Sequence, residues 1–83
     1  MYNVVVYGAG WCGPCVEVKK LLENNNICYK FIDIDEDSNE KIDSITAIPY
    51  IEFIDDNNNV IYSHTGAISK RHLFKFINGE IKR

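Results

Sequence analysis

Two cysteines stand three residues apart in the stretch Trp11, Cys12, Gly13, Pro14, Cys15. Thiols at that spacing suit three roles. They can cycle between dithiol and disulfide, they can ligate a metal, or they can lie buried and inert. A tetrahedral zinc site takes about four ligands and commonly two such pairs. This chain has no second C-x-x-C, and His64 and His72 fall much later, in another strand and helix. An iron–sulfur cluster shared by two copies through Cys12 is a further metal reading. A Gly-Trp-Cys-Gly-Pro loop makes a poor core element, which counts against inert thiols. Redox exchange is favoured because it needs an activated attacking sulfur and a shielded partner close by.

That chemistry depends on the elements that hold the pair. Residues 3–7 form an apolar run ending at Gly8 and read as a buried strand. A helix is expected from Pro14 to about Asn25. Cys15, Val18 and Leu22 share its inner face with Leu21 beside them, and Glu17, Lys19, Lys20 and Glu23 point outward. Pro14 suits the first turn, where its missing N–H removes no bond. Cys12 then sits at the helix cap, exposed, where orphan N–H groups and the positive helix end favour thiolate over thiol. Cys15 lies one turn in, on the buried side, within reach of a disulfide with little backbone movement.

Residues 28–35 alternate, with Tyr29 and Phe31 facing one way and Ile32 and Ile34 the other. They read as a strand covered on both faces near its start, parallel to the first through a right-handed crossover. A short helix capped near Asp37 or Ser38 follows. Pro49 stands directly before a strand at 50–55. Residues 56–59 turn the chain, and 60–65 return as a hairpin partner. Ser69 caps a last helix whose apolar face is Leu73, Phe76 and Ile77, and Gly79 stops it. The order is β-α-β-α-β-β-α: an α/β fold with a four-stranded mixed sheet and helices on both faces, one domain over residues 1–83.

Composition narrows the functions. The net charge is −3 and no basic patch appears beyond Ser69–His72 and the terminal Ile81–Arg83, which disfavours nucleic-acid binding. No apolar run reaches the ~20 residues of a membrane span, and the N-terminus lacks a signal-peptide pattern. A cytoplasmic, reducing setting follows as the expectation. Three cysteines, an odd number, fit catalysis or metal binding better than a disulfide framework there.

The stretch from Trp11 to Cys15 matches the active-site motif of thioredoxins residue for residue. Ala47–Phe53 resembles that family's Ile-Pro-Thr strand entry, and Thr65–Lys70 its Gly-Ala-Leu-Ser-Lys segment. The resemblance runs from about Asn3 to Ile77. Full-size thioredoxins begin with an extra strand and helix that this chain lacks, and its first half is similar to glutaredoxins. The chain thus resembles a minimal, glutaredoxin-sized thioredoxin.

The resemblance implies a cis bond between Ile48 and Pro49, packed against the cysteines. It implies Cys12 as the attacking thiol and Cys15 as the resolving one, with Trp11, Gly13 and Pro14 shaping the loop. Trp11, Ile48, Pro49, Gly66 and Ala67 would form a flat apolar rim for substrate. Tyr50, where thioredoxins carry threonine, either narrows that groove or packs into the sheet. The implied activity is reduction of protein disulfides, with no cofactor beyond the Cys12–Cys15 disulfide and no metal. The implied partners are disulfide-bearing proteins and a thioredoxin-reductase-type electron donor, and the chain would be a monomer. The rival readings are a glutathione-dependent glutaredoxin and a non-catalytic binding or metal module.

The departures are as informative as the matches. The family's buried aspartate, six residues before the first cysteine, is Val6 here. Its accompanying lysine falls at about Phe31, and the helix-kinking proline at Lys20. Without that acid, water or another carboxylate must take the proton of the resolving thiol, or the step slows. The glutaredoxin Pro-Tyr between the cysteines is Gly-Pro here, and residues 66–70 lack the Gly-Gly and acidic residues that cap glutathione, so glutathione is disfavoured. Cys28 reads as a buried structural thiol, with a regulatory thiol as its alternative. Tyr7 reads as aromatic core, or else as lying beneath the active loop. Glu52 falls in a central strand, where the missing N-terminal helix leaves one sheet face thinly covered. His64 and His72 read as surface residues, and residues 33–37 as a solvated strand end.

Overall fold

Three β-branched valines open the first strand, β1 (Val4–Gly8), and all five of its residues are buried. The computed structural model describes residues 3–36 and 40–77. After β1 come α1 (Gly13–Asn24), β2 (Tyr29–Asp33), α2 (Glu40–Ser44), β3 (Tyr50–Ile54), β4 (Val60–Thr65) and α3 (Lys70–Ile77). The sheet order is β2-β1-β3-β4. β1 runs parallel to β2 and antiparallel to β3, and β3 pairs antiparallel with β4. The expected element order and mixed sheet are therefore present. Asp37, Ser38 and Gly79, expected at helix ends, lie outside the described residues, as do the side chains of Phe76 and Ile77.

The sheet separates two cores. On the face covered by α1 and α3, Val4, Val6, Ile51 and Phe53 meet Val18, Leu22, Ile68 and Leu73. On the other face Val5, Tyr7 and Ile54 meet Ile42 and Ile45 of the α2 region, with Ile32, Ile34 and Tyr50. Leu22 is 1% exposed, and truncating such a side chain to Ala costs about 2–5 kcal/mol.

Local chemistry ends each element. The Asn run stops α1: Asn26 takes the left-handed conformation, φ 58°, which asparagine tolerates. The N–H of Ile27 donates to the Leu22 carbonyl at 3.0 Å and that of Asn26 to Glu23 at 3.2 Å, so two orphan carbonyls are satisfied. The β3–β4 turn is held by the Asp55 carboxylate, which accepts from the N–H groups of Asn57 and Asn59, each at 2.9 Å. Ser69 caps α3 as expected, accepting from the His72 N–H at 3.1 Å.

Two expectations need correction. Cys28 is exposed rather than buried. It directly precedes β2, and Lys30, on the α2 face of that strand, is exposed as well. The start of β2 is accordingly open on one face. His64 and His72 are half-buried rather than free on the surface. Their rings lie 4.8 Å apart, and the Tyr62 hydroxyl meets His72 Nε2 at 2.9 Å. The fold folds α3 back onto β4, which sequence separation concealed. Tyr7 is aromatic core as expected, on the α2 face.

Candidate active site: a capping thiol and its buried neighbour

β1 ends at Gly8, and Ala9 to Trp11 lead directly into α1. Cys12 is the N-cap of that helix, with φ −90° and ψ 110°, and Pro14 lies in its first turn. The Cys12 sulfur accepts the backbone N–H of Cys15 at 3.3 Å. The sulfur so placed faces a backbone donor at the positive end of the helix. The loop is fastened from behind by the Cys12 N–H, which donates to the Ala9 carbonyl at 3.2 Å.

Cys15 is fully buried, and Cys12 is only 7% exposed. The expectation of an openly exposed Cys12 is thus corrected. Ala9, Cys12 and Cys15 form a small apolar cluster closed by Ile34 and Ile48. Burial, and then a hydrogen bond with Cys12, push the Cys15 thiol up to about 11, while a backbone contact from Ala9 pulls it the other way. Among the described residues, no ionisable side chain other than Cys12 acts on it. Val6, standing where the resembled family has its acid, is apolar core.

Gly8 explains how Cys15 fits. A Cβ placed on Gly8 would lie 2.8 Å from Cys15 Sγ and 3.1 Å from Phe31 Cε1. The missing side chain is the space that the thiol occupies. Sequence reasoning treated Gly8 as a strand end only, although its place two residues beyond Val6 put it on the α1 face.

The remaining site residues divide. Ile48 packs on the cysteine cluster, and the Ile48–Pro49 peptide is cis. Pro49 is fully buried, so its ring offers no surface. Its carbonyl accepts the Gly66 N–H at 2.7 Å, which ties the two rim loops together. Gly66 has φ +93°, a conformation glycine adopts without strain. Ala67 is exposed, and its carbonyl meets His64 Nε2 at 3.0 Å. Tyr50 faces the α2 side and leaves the rim. Trp11 is 72% exposed, and its indole N–H donates to Asp35 Oδ2 at 2.7 Å. Gly13 and Pro14 are exposed beside it. Asp35 had no separate reading in the sequence. The signal was its place in the loop after β2, which parallel pairing brings next to the loop after β1. Among the described residues no group of three or more His, Cys, Asp or Glu could hold a metal, and no helix is long and apolar enough to cross a membrane.

A four-stranded mixed sheet with a cysteine pair at the start of its first helix agrees with the class that the sequence comparisons define: this is a thioredoxin-superfamily chain. The glutaredoxin sequence model matches residues 4–49, and the chain belongs to the glutaredoxin family. It is 35% identical over 68 residues to thioredoxin 3 of Plasmodium falciparum, a match covering 75% of this chain and 38% of that protein. The chain therefore spans well under half of that relative's length. A crystal structure of a glutaredoxin from Archaeoglobus fulgidus superposes with a TM-score of 0.70 at 19% identity, covering 95% of this chain and 89% of that one. A Plasmodium falciparum thioredoxin superposes with a TM-score of 0.69 at 26% identity, covering 94% and 73%.

Proposed function

We propose that the chain is a thiol–disulfide oxidoreductase that reduces protein disulfides through Cys12 and Cys15. The observation that carries this reading is the Cys12 sulfur at the helix cap with the Cys15 N–H aimed at it. In the first step the Cys12 thiolate attacks one sulfur of a substrate disulfide. A Cys12–substrate disulfide forms and one substrate thiolate leaves. Cys15 then loses its proton and attacks Cys12 Sγ, expelling the second substrate thiolate. The substrate has gained two electrons and, from solvent, two protons; the chain holds a Cys12–Cys15 disulfide. An external dithiol donor of the thioredoxin-reductase type returns the two electrons.

Trp11, Ile48 and the Gly66–Ala67 turn would bound the approach to Cys12, with the Pro49 backbone beneath them. A monomer in a reducing cytoplasm suits this cycle. A second reading, glutathione as the donor, draws support from the glutaredoxin match over residues 4–49. The test is insulin reduction driven by NADPH and thioredoxin reductase, compared with glutathione and glutathione reductase. Faster turnover with the first pair is expected; equal or faster turnover with glutathione would replace the first reading by the second. A metal-module reading would gain only from stoichiometric metal in the reduced protein.

A further inference from the structure

Glu52 is 4% exposed in the middle of the sheet. It lies opposite Val5 and so faces α2, while its neighbours Ile51 and Phe53 face α1 and α3. Cys15 belongs to the α1 face, the side on which a Gly8 Cβ would meet it. Glu52 is thus on the wrong side of the sheet to take the Cys15 proton, and a buried carboxylate still needs an account.

Its partners supply one. Lys41 of α2 forms an ion pair with Glu52 Oε2, and the Tyr7 hydroxyl donates to Oε1 at 3.5 Å. The Tyr7 ring rests against the Tyr50 ring, centroids 5.9 Å apart. Lys41 and Tyr50 bracket the segment that carries Ile48 and Pro49. One anchor lies in α2 just before that segment, and the other directly after Pro49. Between the anchors Ile45 and Ile48 pack inward, while Thr46 and Ala47 are exposed. A cavity of about 110 Å³ lies there, walled by Lys41, Ser44, Thr46, Tyr50 and Thr65. Exposed residues make few packing contacts of their own, so the backbone there takes its position from what flanks it. Burial and the Glu52 charge push the Tyr7 phenol up, and the hydrogen bond to Glu52 pushes Lys41 up. Both groups therefore hold their protons at neutral pH.

We infer that Lys41 and Glu52 are positioning residues: from the face opposite the thiols they fix the Thr46–Ile48 backbone for an incoming protein substrate. The substrate half of this statement rests on the proposed function; the structural half does not. Loss of the pair should loosen that backbone and weaken protein substrates while sparing the reactivity of Cys12 toward a small disulfide.

The test uses E52Q, K41M and the conservative K41R. Backbone ¹⁵N order parameters at Thr46, Ala47 and Ile48 are expected to fall from about 0.85 to below about 0.6 in E52Q and K41M, with α1 unchanged and K41R restoring the parent values. KM for insulin should rise about tenfold in the same two variants, with the rate toward dithiobis(nitrobenzoate) unchanged. Unchanged order parameters at residues 46–48, or an equal fall throughout the chain, would overturn the inference. So would an equal loss toward insulin and the small disulfide. If the parent chain itself failed to reduce insulin, the functional reading would fall, and the relaxation data would still decide the positioning claim.

Discussion

The backbone N–H of Cys15 points at the sulfur of Cys12 across 3.3 Å. One residue of the pair thereby prepares the other before any substrate arrives. The same helical turn that supplies this donor places the Cys15 side chain in the core, with different consequences for the two thiols.

The first concerns trapping. Replacing Cys15 by Ser removes the resolving sulfur, so a Cys12–substrate disulfide should accumulate and be visible by non-reducing gel and intact mass. Replacing Cys12 by Ser should abolish insulin reduction. Parent-like turnover in the Cys12 variant would show that the roles are misassigned.

Resolution should depend on pH. Burial pushes the Cys15 thiol up and persists when Cys12 is held in a mixed disulfide, so the Cys15 thiolate fraction grows about tenfold per pH unit through neutral pH. Stopped-flow decay of a preformed Cys12 mixed disulfide should accelerate accordingly from pH 7 to 9. A flat profile would mean that another group takes the proton.

Folding stability carries the same signature with a defined sign. An ordinary thiol ionises near 9.0, and Cys15 in the fold near 11. Below the lower value both states keep the proton and the contribution is complete. Between the two only the unfolded chain sheds it, so stability falls as pH rises. Urea midpoints should drop across that window by an amount worth about 2–3 kcal/mol, and Cys15→Ala should lose this particular slope.

Gly8→Ala should destabilise the chain by about 1–3 kcal/mol, because the new methyl group meets Cys15 Sγ at 2.8 Å. The displaced sulfur should also slow resolution more than the first attack by Cys12. A variant that lost both steps equally would point to general unfolding, which thermal denaturation would detect.

Trp11 is the chain's single tryptophan, so it reports on its own tether. Asp35→Ala removes the acceptor held at 2.7 Å, and fluorescence anisotropy of Trp11 should fall. The exposed contact is worth about 1 kcal/mol or less, so global stability should hardly change.

Much of this molecule was legible in its residue order. Val4–Val6, the Cys15–Val18–Leu22 stripe and Ser69 each specify local structure through steric preference, periodicity or capping, and each element formed where those signals lie. Contacts between distant segments were harder to read. His64 and His72 are eight residues apart in sequence but meet only because α3 doubles back over β4. Asp35 reaches Trp11 only through the parallel register of β1 and β2. Cys28 shows the converse: it reads as a buried strand start and lies exposed just before β2. The Glu52–Lys41 pair was hidden for both reasons, since its partners come from a central strand and a five-residue helix.

Glu52 and Cys15 occupy opposite faces of one sheet. The strands therefore act as a partition with ionic chemistry on one side and sulfur chemistry on the other. Selection can work on the two sides separately. Under the proposed function, substitutions around Lys41 and Glu52 would retune which proteins are received, and substitutions around Gly8 and Val6 would retune how quickly electrons pass. A lineage could change its clientele without resetting its redox poise.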